Sequence, residues 1–300
     1  MEAPAPVKGL TPRDFAIAAI MNLMWGLNLI AVKMSVDLVE PITAAFLRQA
    51  MVLMICLPAL RLMPGKMRPL LLLGLMSGAL FYIANNLSLS VSENMSALAI
   101  AGQLGVPFSL ILAVVFLRER IHKTRIIGVA LSFAGVALIA FDPAIVDERL
   151  GLALMALTSL IWAICSLLQR QLIGVPVLTI YAWIGLVGTI ILGPVAAIAE
   201  PQAVAAIPQI PLATLGWILF SALGSTVIGQ GAMSILLQRH PISSVVPLTL
   251  AAPVIAVIAA SFWFATPLTW PIILGGMIVM AGIAIVTIRT AQAGERKGSL

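Results

Sequence analysis

At about 100° of turn per residue, Thr158, Ser159, Trp162, Cys165, Ser166 and Gln169 fall within an arc of roughly 100–120°. Leu160, Ile161, Ile164, Leu167 and Leu168 fill the rest of the same segment. A lipid-facing surface would not carry this stripe, so it packs on other helices or meets water, and its length favours water. An earlier segment repeats the pattern over a broader arc with Asn22, Trp25, Asn28 and Lys33. Phe81, Tyr82, Asn85, Asn86 and Ser88 form a third polar group, Ser96 and Gln103 a fourth, and Ser221, Ser225, Thr226 and Gln230 a fifth. Hydroxyls, carboxamides and indoles donate and accept hydrogen bonds without changing charge near neutral pH. Singly, each such group often only bonds a neighbouring helix. Together they point to a polar, mostly uncharged cavity.

Groups able to do acid–base or metal chemistry are absent at depth. No Asp or Glu lies deep inside an apolar segment, and His122 and His240 fall between segments. Proton-coupled carriers usually hold a titrating group in the membrane, so a facilitative or exchange mechanism fits better. No nucleophile, base or metal set converges, so neither catalytic residues nor a metal nor a cofactor is expected. Cys56 and Cys165 both lie inside apolar segments and suit packing rather than a disulfide or zinc site. No G-x-x-x-x-G-K-[ST] run occurs, which argues against ATP-driven pumping. Arg48 is the exceptional charge, two turns inside its segment, with structural roles favoured over contact with an anionic substrate.

Prolines and tryptophans add matched landmarks. Pro107 and Pro253 fall mid-segment at corresponding places, with Pro247 a second break near the latter. A mid-helix proline removes a backbone hydrogen bond, and broken helices at corresponding positions mark transport sites. Trp217, Trp263 and Trp270 lie near segment ends, where indoles settle at the membrane interface. Trp25 and Trp162 lie mid-segment instead, either packed between helices or walling a central site.

The elements that must position these residues follow from composition. Hydrophobic residues make up 61% of the chain and charged residues 9%, against roughly 25% charged in ordinary soluble domains. The chain is therefore an integral membrane protein, and runs of about 20 apolar residues demand helices. Ten spans are predicted, at 14–34, 42–60, 69–89, 95–116, 124–141, 151–170, 176–198, 212–237, 243–264 and 270–289. Met24-Trp25-Gly26 returns as Ile161-Trp162-Ala163, and Ile127-Gly128 with Ala134-Gly135 returns as Leu274-Gly275 with Ala281-Gly282. Each copy holds five spans, an odd number, so the second copy runs upside down. The repeated glycines lie two turns apart and mark smooth faces for close helix approach. With the N-terminus inside, 14 of the 17 basic residues fall on internal segments, which predicts cytoplasmic termini. The apolar stretch after Lys8 and Arg13 is too long for an export signal and lacks a small-residue cleavage site.

Order and spacing of these features resemble the drug/metabolite transporter superfamily, and within it the EamA-type exporters. The residues that carry the likeness are Trp25-Gly26 with Asn28 and Lys33, Arg48 after Pro41, Pro107 followed by Leu117-Arg118-Glu119-Arg120-Ile121, then Gly128 and Gly135. Trp162, Pro253 and Phe264-Ala265-Thr266-Pro267-Leu268-Thr269 hold the matching places in the second copy. Arg118 stands where the family has Gly, and Thr266 where it has an acid, so the two turns are not symmetric. The resemblance implies a central cavity lined by helices one to four and six to nine, with five and ten peripheral, and alternating access. Among its branches the chain is most similar to the YddG-type exporters of aromatic and neutral amino acids.

The expectation is thus an all-α integral membrane protein, with ten transmembrane helices as two inverted five-helix repeats, 1–146 and 147–300, around a central cavity. Substrate-binding candidates are Asn22, Trp25, Asn28, Tyr82, Asn85, Gln103, Trp162, Ser166, Ser225 and Gln230, with Pro107 and Pro253 as helix-break or gating residues. The expected activity is secondary export of amino acids or similar small metabolites across the cytoplasmic membrane. A sugar-phosphate or nucleotide-sugar carrier of the same fold is the alternative, and convergence of Arg48, Lys33 and Arg170 on one chamber would favour it. Expected partners are the small-molecule substrate and membrane lipid, with no nucleic acid, and a monomer is expected.

Overall fold

The computed structural model describes residues 11–117, 123–240, 245–266 and 268–298. Ten apolar helices follow in order: α1 (Pro12–Val36), α2 (Pro41–Cys56), α3 (Met67–Ser90), α4 (95–117), α5 (Lys123–Ala140), α6 (Arg149–Arg170), α7 (Val177–Ala199), α8 (212–239), α9 (246–264) and α10 (Trp270–Gly298). Eight are long and apolar enough to cross a membrane, and the apolar parts of α5 and α9, Ile126–Ala140 and Leu248–Phe264, are shorter. The ten predicted spans correspond to these helices one for one.

Helix starts are set by local chemistry. Thr11 and Asp14 form a reciprocal capping box ahead of α1, with Pro12 in its first turn. Asn94 caps α4, its Oδ1 accepting from the Ala97 N–H at 3.0 Å. Glu200, at the end of α7, receives the Ile42 and Thr43 N–H groups of α2 at 2.9 and 2.7 Å. A carboxylate at a helix N-terminus satisfies orphan donors and complements the dipole.

Among the described residues, four helices change their hydrogen-bonding pattern partway along, in two matched pairs. In α4 a 3₁₀ turn at Gly102–Leu104 precedes Pro107, and in α9 a 3₁₀ turn at Val246–Leu250 precedes Pro253. Each proline lacks an N–H, so the carbonyl four residues earlier, on Gln103 or Thr249, loses its helical donor. Pro247 lies inside the second of these turns. The other pair goes beyond what the sequence predicts: α3 carries a π segment at Gly74–Leu80 and α8 one at Phe220–Gly229.

Contacts between helices obey a pseudo-two-fold exchange. α1 packs on α9 and α8, as α6 packs on α4 and α3; α3 packs on α7 as α8 packs on α2. α5 meets its own counterpart α10, and α2 meets α7. A Cβ on Gly128 would lie 2.8 Å from the Gly282 carbonyl oxygen, and one on Gly135 would lie 2.6 Å from that of Gly275. The later residue of α5 thus faces the earlier residue of α10, so the two helices are antiparallel. Gly185 against Leu53 and Gly188 against Gln49 give α2 and α7 the same relation. Corresponding helices that run antiparallel make the two copies inverted. The paired glycines of α5 and α10 are spent on each other, as smooth faces for close approach.

Replacing Gly135 by Val forces a side chain into the Gly275 backbone and should lower stability by about 1–3 kcal/mol, the usual cost of overpacking. Gly216→Ala, at an open position, should raise it by up to about 1 kcal/mol through helix propensity. Thermal unfolding of the detergent-solubilised variants reads both signs.

Candidate functional site

A chamber of about 350 Å³ lies at the centre of the bundle, within the size range of small-molecule sites. Five helices wall it. α1 supplies Trp25, Asn28, Leu29 and Val32; α3 supplies Phe81, Asn85 and Leu89; α6 supplies Met155, Thr158, Ser159 and Trp162. The remaining wall comes from the two broken helices, with Gln103 and Gly105 of α4 and Thr249, Ala252 and Pro253 of α9 among it. No Asp, Glu, Lys, Arg or His is among the described lining residues.

Trp25 and Trp162 both reach this space, each packed across the repeat boundary on a glycine. A Cβ on Gly105 of α4 would stand 2.9 Å from the Trp162 ring, and one on Gly229 of α8 would stand 2.5 Å from Trp25 Nε1. The Trp25 N–H donates to the Ser225 carbonyl at 3.3 Å. Trp162 is 46% exposed. Ser159 donates to the Gly102 carbonyl at 3.1 Å, tying α6 to the break in α4. Asn28 Oδ1 is buried without a hydrogen-bond partner. A buried acceptor in that state can take a hydrogen bond from water or from a ligand.

One end of the chamber is sealed. Val32, Leu89, Leu98 and Met155 are all buried there within the largest apolar cluster. Polar ties reinforce the seal. Lys33 Nζ donates to the Leu89 and Ser92 carbonyls at 3.2 and 2.9 Å, at the C-terminus of α3, and pairs with Asp37 at 2.9 Å. Glu148, ahead of α6, accepts the Glu93 and Asn94 N–H groups at 3.0 and 3.1 Å, at the N-terminus of α4. Lys33 and Glu148 thereby join α1, α3, α4 and α6, four of the five walls.

Of the sequence candidates, Trp25, Asn28, Asn85, Gln103, Trp162 and Pro253 converge on the chamber. Five others and Pro107 lie elsewhere, for identifiable reasons. Asn22 spends its amide on the Ala18 and Leu248 carbonyls at 2.7 and 2.9 Å. Tyr82 lies under the Arg48 guanidinium, 4.0 Å from ring centroid to Cζ. Ser166 donates back to the Trp162 carbonyl at 3.0 Å within its own helix. Ser225 contributes only the carbonyl that receives Trp25, and Gln230 begins the α-helical stretch beyond the π segment. Pro107 is buried behind the wall and acts on it through the break it causes.

The expectation that helices two, seven and eight would line the cavity is corrected by this arrangement. Arg48 of α2 donates to Ser221 Oγ at 2.8 Å and Thr226 Oγ1 at 2.9 Å, both in the π segment of α8. The polar side chains of α8 therefore satisfy a buried cation instead of a chamber. Arg48 and Lys33 do not meet in one space, and the Arg170 side chain lies outside the described residues, as do Arg118, Glu119, Arg120, Ile121, His122 and Pro267. The Thr266 hydroxyl lies 3.3 Å from that of Ser96. Cys165 turns away from the chamber into an apolar cluster with Leu70 and Ile161. Thr249 was missed, although its place four residues before Pro253 marks its carbonyl as the one that proline deprives of a helical donor.

Inverted copies, matched helix breaks and a chamber without charged side chains among the described residues are the build of a multi-pass membrane carrier. The sequence profile of the EamA-like transporter family matches residues 15–141 and again 149–288, and the chain belongs to that family. It is 27% identical over 280 residues to an uncharacterized transporter of Archaeoglobus fulgidus, covering 91% of this chain and 98% of that one. It is 24% identical over 290 residues to a probable amino-acid metabolite efflux pump of Escherichia coli K12, and 22% identical to one of Salmonella typhimurium. Each alignment covers 92% of this chain and 95% of the relative. A solved structure at 18% identity superposes with a TM-score of 0.63 over 95% of this chain and all of its own, a likeness of fold.

Trp162→Ala removes a chamber wall, whereas Trp270, 79% exposed at the start of α10, touches no part of it. Transport by Trp162→Ala should fall at least tenfold while Trp270→Ala stays within twofold, measured per unit of inserted protein. Equal activities would return Trp162 to a packing role.

Proposed function

We propose that this carrier exports amino acids or similar small zwitterions across the cytoplasmic membrane by alternating access, in a facilitative or exchange mode. The supporting observation is a chamber without charged side chains among the described residues, in which Asn28 offers an unpartnered acceptor between Trp25 and Trp162. An ammonium group suits that oxygen, and hydrogen bonds to a charged group contribute about 1.5–3 kcal/mol. Gln103 and Asn85, both in the lining, carry amide N–H groups that can donate to a carboxylate, one of Asn85's being already engaged by Asn86 Oδ1. The indoles and Phe81 supply apolar surface for a variable side chain. The names of the two enterobacterial relatives agree with this substrate class. A sugar-phosphate or nucleotide-sugar substrate is less suited, since it would require cations in the chamber.

Alternating access requires the sealed end to open. By the distribution of basic residues that end faces outside, so the chamber communicates with the cytoplasm beside Trp162, and both termini are cytoplasmic. The units that rock are the repeats at 1–146 and 147–300, and one chain suffices for the cavity.

The test is counterflow of radiolabelled amino acids in proteoliposomes, with and without a pH gradient. Saturable uptake of neutral or aromatic amino acids that ignores the gradient is expected, and no saturable transport of any amino acid would refute the proposal. Asn28→Ala should raise the KM for the preferred amino acid about tenfold or more, in line with loss of a charge-assisted bond.

A further inference from the structure

A second space of about 370 Å³ lies on the outer flank of the bundle, between α4, α9 and α10. Its walls are almost wholly apolar: Ile100 of α4, Val257 of α9, and Met277 and Met280 of α10 are typical. Two residues, Gln103 and Pro253, line both this groove and the central chamber. Gln103 on α4 and Pro253 on α9 therefore stand between the two spaces. Both helices are broken beside this partition, at Gly102–Leu104 and Val246–Leu250.

Gln103 is the polar residue among the groove's lining, yet the groove wall is almost wholly apolar, whereas the chamber wall carries polar surface. Its carboxamide therefore belongs to the chamber side and its methylenes to the groove side, so the partition is itself amphipathic. A molecule with a polar head in the chamber and an apolar tail in the groove matches both of its faces. We infer that the carrier accepts amphipathic substrates, with a small zwitterionic or amine head in the central chamber and an unbranched apolar chain passing between Gln103 and Pro253 into the flanking groove. This rests on the chamber being the substrate site. Short amino acids use the chamber alone, and the groove extends the range to alkylated or acyl-tailed derivatives.

The probes are amino-acid alkyl esters from methyl to octyl, with the protein in lipid nanodiscs. Potency in displacing a bound radiolabelled amino acid should rise at least tenfold from methyl to octyl ester in the wild type. Met277→Trp, which fills the groove from α10, should cut that rise below threefold, and Ile273→Trp should do the same if the first variant does not insert. Ile198→Trp, on a distant lipid-facing surface of α7, should keep the full rise. A diazirine at the end of the octyl chain should cross-link wild-type α9 and α10, and excess methyl ester should abolish that cross-linking.

An equal rise in all variants means partition into the bilayer and overturns the inference. Cross-linking to the groove that methyl ester does not compete means a lipid chain lodged independently of the chamber, and overturns it equally. Should no amino acid bind or be transported while competed cross-linking persists, the amino-acid assignment falls and the two-part site stands. Amino-acid transport without chain-length dependence keeps the amino-acid assignment and overturns the two-part site.

Discussion

Inside a bilayer every backbone N–H and C=O must find a partner within the protein, and this constraint organises the whole molecule. It makes the chain helical, and it makes each departure from the helix conspicuous. Pro107 and Pro253 strip a donor from the carbonyls of Gln103 and Thr249. Both residues stand at a chamber wall, beside the 3₁₀ turns in which neighbouring N–H groups take up these carbonyls instead. The π segment of α8 follows the same logic with a different donor, since the Arg48 guanidinium bonds the Ser221 carbonyl at 3.4 Å as well as two hydroxyls. Interruptions of the helix are tolerated where something takes up the polar groups they release.

Much of the fold was legible because its signals are periodic or repeated. Apolar run length marked the ten helices, and the recurrence of Gly128 and Gly135 as Gly275 and Gly282 marked smooth faces for close approach, which α5 and α10 turn on each other. The site was legible where a residue announced itself by contradiction, as an indole or proline in mid-membrane does. It was not legible where two polar residues could satisfy each other. Ser221 and Thr226 looked like cavity groups until Arg48, far away in sequence, took their oxygens. Periodicity specifies which face a residue is on and leaves its neighbour undetermined. The π segments were invisible for a related reason: an i→i+5 bond leaves no residue-type signature as sharp as proline's.

The two ends of the chamber are held by different physics. At the sealed end, apolar burial of Leu89 and Leu98 combines with carboxylates and a lysine aimed at helix termini. Such caps are short-range and directional, so they are lost abruptly when helices separate by a few ångströms. Toward the other end, Asp14 pairs with Arg239 at 3.4 Å and lies 2.9 Å from His240 Nε2, placing the start of α1 against the end of α8. The asymmetry between ends coexists with symmetric helix packing, which is how inverted copies occupy unequal states.

The crossing of α5 with α10 is self-complementary: Gly128 meets Gly282 and Gly135 meets Gly275, each through the other's backbone. A single five-helix unit inserted in both orientations would meet its twin through this same surface, as in an isologous dimer. Neither copy can therefore drift freely here. A side chain added to one helix here collides with the main chain of the other, so a change at any of these four positions in one copy is felt directly by its counterpart.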